Sequence, residues 1–335
     1  MERVKVKKIE IINFKGIEHL ELDFTYLDSD RILDNIVFYG INGSGKSTVL
    51  EAISISLLIS TIAPKNKEYL DAIEKKLIER LSLGEEWIYN NKQQFKINLQ
   101  LLDNGSNIHT TLTYNKDDGL KWQIQDNKEI FNYTKELQFE YLSSYRLFTP
   151  SKVLHAGDWN KIEEIKKEVW NMDNHTLSLQ FGNSYATVKQ YLVNLITDKK
   201  VGVINNENIE ILEKIKQSFQ IFFPNKIFLE QLARSEMNQD YKFLIQNEDE
   251  TIVDIDQLSS GEREIIAFFT YLCTQAIGKS IIIIDEPELH LHDKWQSIIL
   301  YAIHKVFPNI QLFLATHSET IHQSVSESEL FELVK

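Results

Sequence analysis

The sequence predicts an α/β fold built on a parallel sheet covered on both faces, and three observations predict it. Residues 40–48 read Gly-Ile-Asn-Gly-Ser-Gly-Lys-Ser-Thr, between an apolar run, Ile36–Tyr39, and a helical pattern that begins at Val49. The run Ile281–Ile284 is apolar at every position and has helical spacing on both sides, as a strand buried on both faces requires. A further strand-like run, Ile310–Ala315, follows the next helical pattern, so strand and helix alternate toward the C-terminus.

Val4–Ile12 and Leu20–Phe24 alternate apolar and polar residues, and Asn13-Phe14-Lys15-Gly16 joins them; two strands and a turn are expected. Ile36–Tyr39 is the strand that delivers the glycine-rich loop. Residues 48–60 and 67–83 carry helical spacing, with Gly84 as terminator. Phe95–Leu102, Ile108–Tyr114 and Leu120–Ile124 read as strands, separated by Asp103-Asn104-Gly105-Ser106 and Asp117-Asp118-Gly119, which are hairpin turns by composition. An antiparallel meander inserted after the first helix follows. Residues 139–150 read as another strand, and residues 160–245 are polar, Asn-rich and helical in spacing, a second lobe without a sustained heptad repeat. From Leu258 the pattern predicts a helix at 261–277, a break at Gly278-Lys279, a strand at Ser280–Ile284, a helix at 293–306 and the strand Ile310–Ala315. The chain divides into an N-terminal lobe, 1–150, an inserted helical lobe, 151–257, and a C-terminal lobe, 258–335.

The 335 residues are 43% hydrophobic and 25% charged, an ordinary globular composition. No apolar run approaches the roughly 18 residues needed to cross a bilayer. The basic N-terminus, Met1–Lys8, leads into an alternating strand with no signal-peptide core, so a cytoplasmic protein without a membrane partner is expected. The single cysteine, Cys273, lies in an apolar helical segment and reads as a buried spectator thiol. A net charge of −13 excludes a general nucleic-acid coat, which needs many Lys and Arg to neutralise phosphates. Arg3, Lys5, Lys7 and Lys8 leave a local basic surface open, although alternating Val and Lys also describes a half-exposed strand.

The loop is a complete G-x-x-x-x-G-K-[ST] motif and marks a nucleoside triphosphate site. Its glycines let the backbone N–H groups of Asn42, Gly43, Ser44 and Gly45 turn around phosphates, Lys46 offers an ammonium, and Ser47 offers a hydroxyl to Mg²⁺. Thr48 opens a helix whose positive end faces the anion. Asp285 and Glu286 end the buried run 281–284, the arrangement in which Asp285 holds the metal shell and Glu286 polarises an attacking water. Alone, such a run is equally a strand entering a solvated turn; the phosphate loop in the same chain decides its meaning. Leu258-Ser259-Ser260-Gly261-Glu262 precedes that strand by one helix. It is a second anion site at a helix start or, alone, an ordinary capping box of Ser259 with Glu262.

These segments, with Ala315-Thr316-His317-Ser318, occur in the order found in ATP-binding-cassette ATPases, and the chain resembles that family along essentially its whole length. Asn13-Phe14-Lys15-Gly16 and the run Asp285-Glu286-Pro287-Glu288-Leu289-His290-Leu291-His292 are similar to the SMC, RecF and OLD-like group. The resemblance implies a P-loop NTPase of ABC-ATPase type with ATP and Mg²⁺ as cofactors, ATP hydrolysis, and catalytic roles for Lys46, Glu286 and His317, the last as γ-phosphate sensor. It adds Asn13 and Lys15 as nucleotide contacts. It also implies a head-to-tail homodimer, or a higher oligomer built from dimers, in which Ser259, Ser260, Gly261 and Glu262 of one copy reach the γ-phosphate held by Lys46 of the other.

Two departures stand out. No Gln occupies the family's glutamine-loop region near Tyr141–Arg146, where Ser144 aligns, and the Ser-Ala-Leu-Asp of transporters is replaced by residues 288–292. Glu288, His290 and His292 as metal ligands is an alternative that strand-like alternation weighs against. Only Ser318–Lys335 follows His317, too little for the Toprim domain of OLD-like nucleases, and the long coiled coil of SMC proteins is absent. The resemblance therefore implies a stand-alone head regulating a separate effector, such as a nuclease, in bacterial anti-phage defence. A RecF-like ATPase that binds DNA directly and a transporter's nucleotide-binding subunit are the alternatives.

Overall fold

The computed structural model describes residues 4–62, 87–124, 139–142, 185–234, 240–289 and 291–334. Its centre is a five-stranded parallel sheet of β3 (Asn35–Tyr39), β7 (Phe139–Leu142), β11 (Ile281–Asp285), β12 (Gln311–Ala315) and β13 (Leu330–Glu332), in the order β13-β3-β12-β11-β7. Alternate residues of one strand enter different cores. Ile281 and Ile283 of β11 join one apolar cluster with Phe38 and Phe313, whereas Ile282 and Ile284 join the other with Val37 and Leu314. This is the physical reason that β11 is apolar at four successive positions.

The first cluster is shared with an antiparallel sheet, order β2-β1-β4-β5-β6, made of β1 (Lys5–Phe14), β2 (Ile17–Asp23), β4 (Gln94–Asp103), β5 (Ser106–Asn115) and β6 (Gly119–Ile124). The predicted turns are present: Asp103 pairs with Ser106 across Asn104 and Gly105, both at positive φ, and Asn115 pairs with Gly119. The expected meander follows α1, and its β4 pairs with β1, continuing the N-terminal hairpin into one sheet. Helix α1 (Lys46–Ile62) packs against both sheets. The helix expected at 67–83, its terminator Gly84, residues 143–150 with Ser144, and residues 151–184 lie outside the described residues.

The second cluster carries the inserted lobe. Helices α2 (Tyr185–Val201) and α3 (Asn206–Phe222) are followed by strands β8 (Ile227–Arg234), β9 (Tyr241–Gln246) and β10 (Ile252–Asp254), an antiparallel sheet of order β10-β9-β8. The helical reading of residues 160–245 is thus corrected over 227–234 and 241–245: Phe228, Phe243 and Ile245 face inward at a strand period, against the aromatic face of α3. Helix α4 (Ser260–Gln275) lies on this lobe and buries Cys273 completely, where burial pushes its thiol up and leaves it inert. The predicted helix 293–306 is two pieces, α5 (Asp293–Gln296) and α6 (Ile299–Val306), broken at Ser297 and Ile298. The short helix α7 (Glu319–His322) follows β12. Among the described residues, no helix is long and apolar enough to cross a membrane.

Candidate nucleotide site

Three parallel strands bring the chemistry to one end of the sheet. β3 runs into Gly40, β11 ends at Asp285, and β12 ends just before Thr316 and His317, so all three carboxyl ends open onto the same side. A cavity of about 1180 Å³ lies there, lined by Asn42, Gly43, Ser44, Gly45, Lys46, Ser47 and Thr48 together with Glu286 and His317. The loop's shape depends on glycine. Gly40 adopts φ 140°, and a Cβ there would sit 2.5 Å from the Leu333 carbonyl oxygen.

Lys46 is 6% exposed and donates to the Gly40 and Ile41 carbonyls at 3.0 and 3.1 Å. Burial lowers its pKa, and the charges of Asp285, Glu286 and Glu288 oppose that shift. Its ammonium faces three carboxylates and is folded over carbonyls that phosphate oxygens would replace. Asp285 is 5% exposed, and Ser47 presents its hydroxyl from the first turn of α1. A carboxylate and a hydroxyl beside a phosphate loop are the hard oxygen donors that Mg²⁺ takes.

Glu286 adopts φ 50°, and its N–H donates to the Ala315 carbonyl at 2.8 Å. His317 is exposed, and its backbone N–H donates to Glu288 Oε1 at 2.6 Å. Residues 287–289 form a turn rather than the alternating strand expected of this run. His292 caps α5 by accepting from the Lys294 N–H at 3.3 Å, and His290 lies outside the described residues.

Asn13 and Lys15 do not line the cavity. Both have positive φ at the β1–β2 turn, and the Lys15 ammonium lies 2.5 Å from Glu51 Oε2 and 4.4 Å from the Trp87 ring centre. Gly16–Leu20, Tyr89 and Glu332–Val334 line it instead, residues contributed by another sheet and by the C-terminal strand. Gly16 closes the motif Asn13-Phe14-Lys15-Gly16, and no motif announces the others, whose proximity to the loop comes from topology. The signature residues are also outside this cavity. Ser259 caps α4 in a complete capping box with Glu262, and Ser259 and Ser260 are exposed. Glu262 Oε1 pairs with Lys226 at 2.6 Å. Its carboxyl is held below the usual range, because the bonds from Lys226 and Ser259 outweigh burial.

Known proteins extend these observations. A retron Vc95 probable ATPase of Vibrio cholerae is 25% identical over 98% of this chain and 73% of its own length. A Septu protein PtuA of Bacillus mycoides is 25% identical over 98% of this chain, which spans only 40% of that protein. A retron Ec83 probable ATPase of Escherichia coli is 22% identical over 99% of this chain and 72% of its own length. Among solved structures, the SMC head domain from Thermotoga maritima superposes with a TM-score of 0.53 at 12% identity, covering 99% of this chain and 94% of that one. An Smc head with an extended coiled coil, bound to a ScpA domain and derived from Pyrococcus furiosus, gives 0.55 at 13% identity, covering 98% and 93%. At such identity the likeness is one of fold alone, that of the SMC head. The family model described as "AAA domain, putative AbiEii toxin, Type IV TA system" matches residues 36–321, from the strand that delivers the phosphate loop to the helix after His317, and the chain belongs to that family.

Proposed function

We propose that this protein is an ATP-hydrolysing switch that dimerises on ATP and so controls a separate effector, a nuclease, in bacterial anti-phage defence. One observation carries the reading: the phosphate loop, Glu286 and His317 share a cavity, whereas Ser259 and Ser260 of the signature start are exposed outside it. A site of this kind is half built in one copy and is completed when a second copy presents its helix start to the γ-phosphate. The retron and Septu relatives support the defence setting and the separate effector.

In this reading Lys46 and the backbone N–H groups of 42–48 grip the phosphates, while Ser47 and Asp285 hold Mg²⁺. The metal, when bound, neutralises charge on the transferring phosphoryl group. Glu286 accepts the proton of the attacking water, and His317 contacts the γ-phosphate from the end of β12. The test is Glu286→Gln, which retains ATP and accumulates closed dimers in light scattering. Normal hydrolysis by that variant would overturn the assignment of the base.

Direct DNA binding through the N-terminal strand has less support. Lys5 pairs with Asp34 at 2.6 Å, Lys7 with Asp30 at 3.6 Å, and Lys8 with Glu21. These acids neutralise the basic surface before any phosphate arrives. A steep fall of DNA affinity with salt for the ATP-bound protein alone would restore the DNA reading.

A further inference from the structure

We propose that Glu288 is a positioning residue that locks the proposed general base and the proposed phosphate sensor into one geometry. This rests on the roles given above to Glu286 and His317. The last ladder pair of β11 and β12 is Asp285 with Ala315. Beyond it, two hydrogen bonds continue the cross-link: the Glu286 N–H donates to the Ala315 carbonyl at 2.8 Å, and the His317 N–H donates to Glu288 Oε1 at 2.6 Å. The second is made by a side chain standing in for a strand backbone that has already turned away.

Three features make this cross-link more than an incidental contact. Glu286 is held at φ 50°, a left-handed conformation that a residue with a Cβ keeps only when its surroundings over-determine it. The turn that holds it is braced internally, by the Leu289 N–H on the Glu286 carbonyl at 3.2 Å and the Leu291 N–H on the Glu288 carbonyl at 2.9 Å. The carboxylate therefore projects from a rigid base. Finally, Glu288 Oε2 is buried without a hydrogen bond among the described residues, an arrangement that costs stability and that a backbone-anchoring role explains. Glu288 does not line the cavity; beside the charge it adds near Lys46, it acts through the two residues that do. Its carboxylate connects them: a shift of the turn moves Glu286 and the sensor loop together.

The experiment compares Glu288→Gln, Glu288→Asp and Glu288→Ala in the full chain, measuring ATP affinity, kcat and the thermal midpoint. Gln keeps an acceptor oxygen at the right reach and loses the charge; Asp keeps the charge and is one methylene too short. The proposal expects Asp and Ala to lower kcat by about 10- to 100-fold, the scale of a misplaced catalytic group. ATP affinity should stay within about threefold, and Gln should recover most of the turnover. Wild-type turnover in Ala or Asp overturns it, as does a Gln variant as poor as Ala, because charge rather than reach then matters. A loss confined to ATP affinity also overturns it. Because Gln and Asp are close in size to Glu, they report even if Ala fails to fold. Failure of the underlying reading shows elsewhere: Glu286→Gln with normal turnover removes the base itself, whatever the Glu288 series does.

Discussion

Lys46 illustrates what a single side chain contributes here. It is buried beside three acids, yet among the described residues it donates to carbonyls of its own loop, so its charge is available to an incoming polyphosphate. Lys46→Ala removes that charge-assisted contact and should weaken ATP binding by roughly 10- to 100-fold, measured by calorimetry, with the thermal midpoint of the nucleotide-free protein little changed. The roles given to Asp285 and Glu286 took their meaning from the phosphate loop and that of His317 from the family resemblance, whereas residues 40–48 were legible on their own, because a strand, a glycine turn and a helix start need no tertiary context. The rim residues Gly16–Leu20 and Glu332–Val334 were not, because they reach the loop only once β1–β2 folds over α1 and β13 docks on β3. Lys15 was placed in the site by the motif around it, whereas Glu51 and the Trp87 ring draw its ammonium elsewhere.

At the scale of elements, two buried charges tie distant segments together, one within the inserted lobe and one between β7 and α4. Lys189 of α2 is fully buried and faces Asp240 at 3.2 Å, Asp254 at 3.2 Å and Asp256 at 2.5 Å, on the strands and turn that lead into the signature. Burial alone would lower its pKa; the Asp256 hydrogen bond and the three charges outweigh burial and raise it. Lys189→Met leaves carboxylates buried without their cation and should cost about 3–5 kcal/mol in chemical denaturation. No sequence rule pairs a lysine with acids more than fifty positions away, and two of the three strands that assemble them, β8 and β9, fell in the segment read as helical. Glu140 of β7 is the second charge. Burial pushes its pKa up to about 7, and the Tyr271 hydroxyl of α4 donates to Oε1 at 2.9 Å. A carboxyl raised in the folded state binds its proton there while the unfolded chain has lost it, so its contribution is greatest below about pH 4.5 and fades as pH rises through about 7. Glu140→Gln keeps the acceptor without the charge. It should raise the thermal midpoint at pH 8 and change it little at pH 5; equal shifts at both would exclude an ionised Glu140 as the cause.

For the whole molecule, the fold determines what one copy can do alone. The ends of β3, β11 and β12 open onto one cavity, and the start of α4 is presented to solvent outside it. Ser260→Arg should therefore leave ATP binding intact and block turnover, because the bulky cation spoils the partner's site that it enters without touching its own phosphate loop. Mixing then separates a trans site from a cis one. A Lys46→Ala copy supplies a sound signature and a Ser260→Arg copy supplies a sound phosphate loop, so each mixed dimer contains one complete composite site. An equal mixture of the two inactive variants should regain up to about a quarter of wild-type turnover, the share expected when half the dimers are mixed and each has one working site. Recovery that rises with protein concentration marks assembly in trans. Mixed dimers that form, as seen in light scattering with a tagged copy, and still do not hydrolyse would place Ser260 in the same site as its own Lys46.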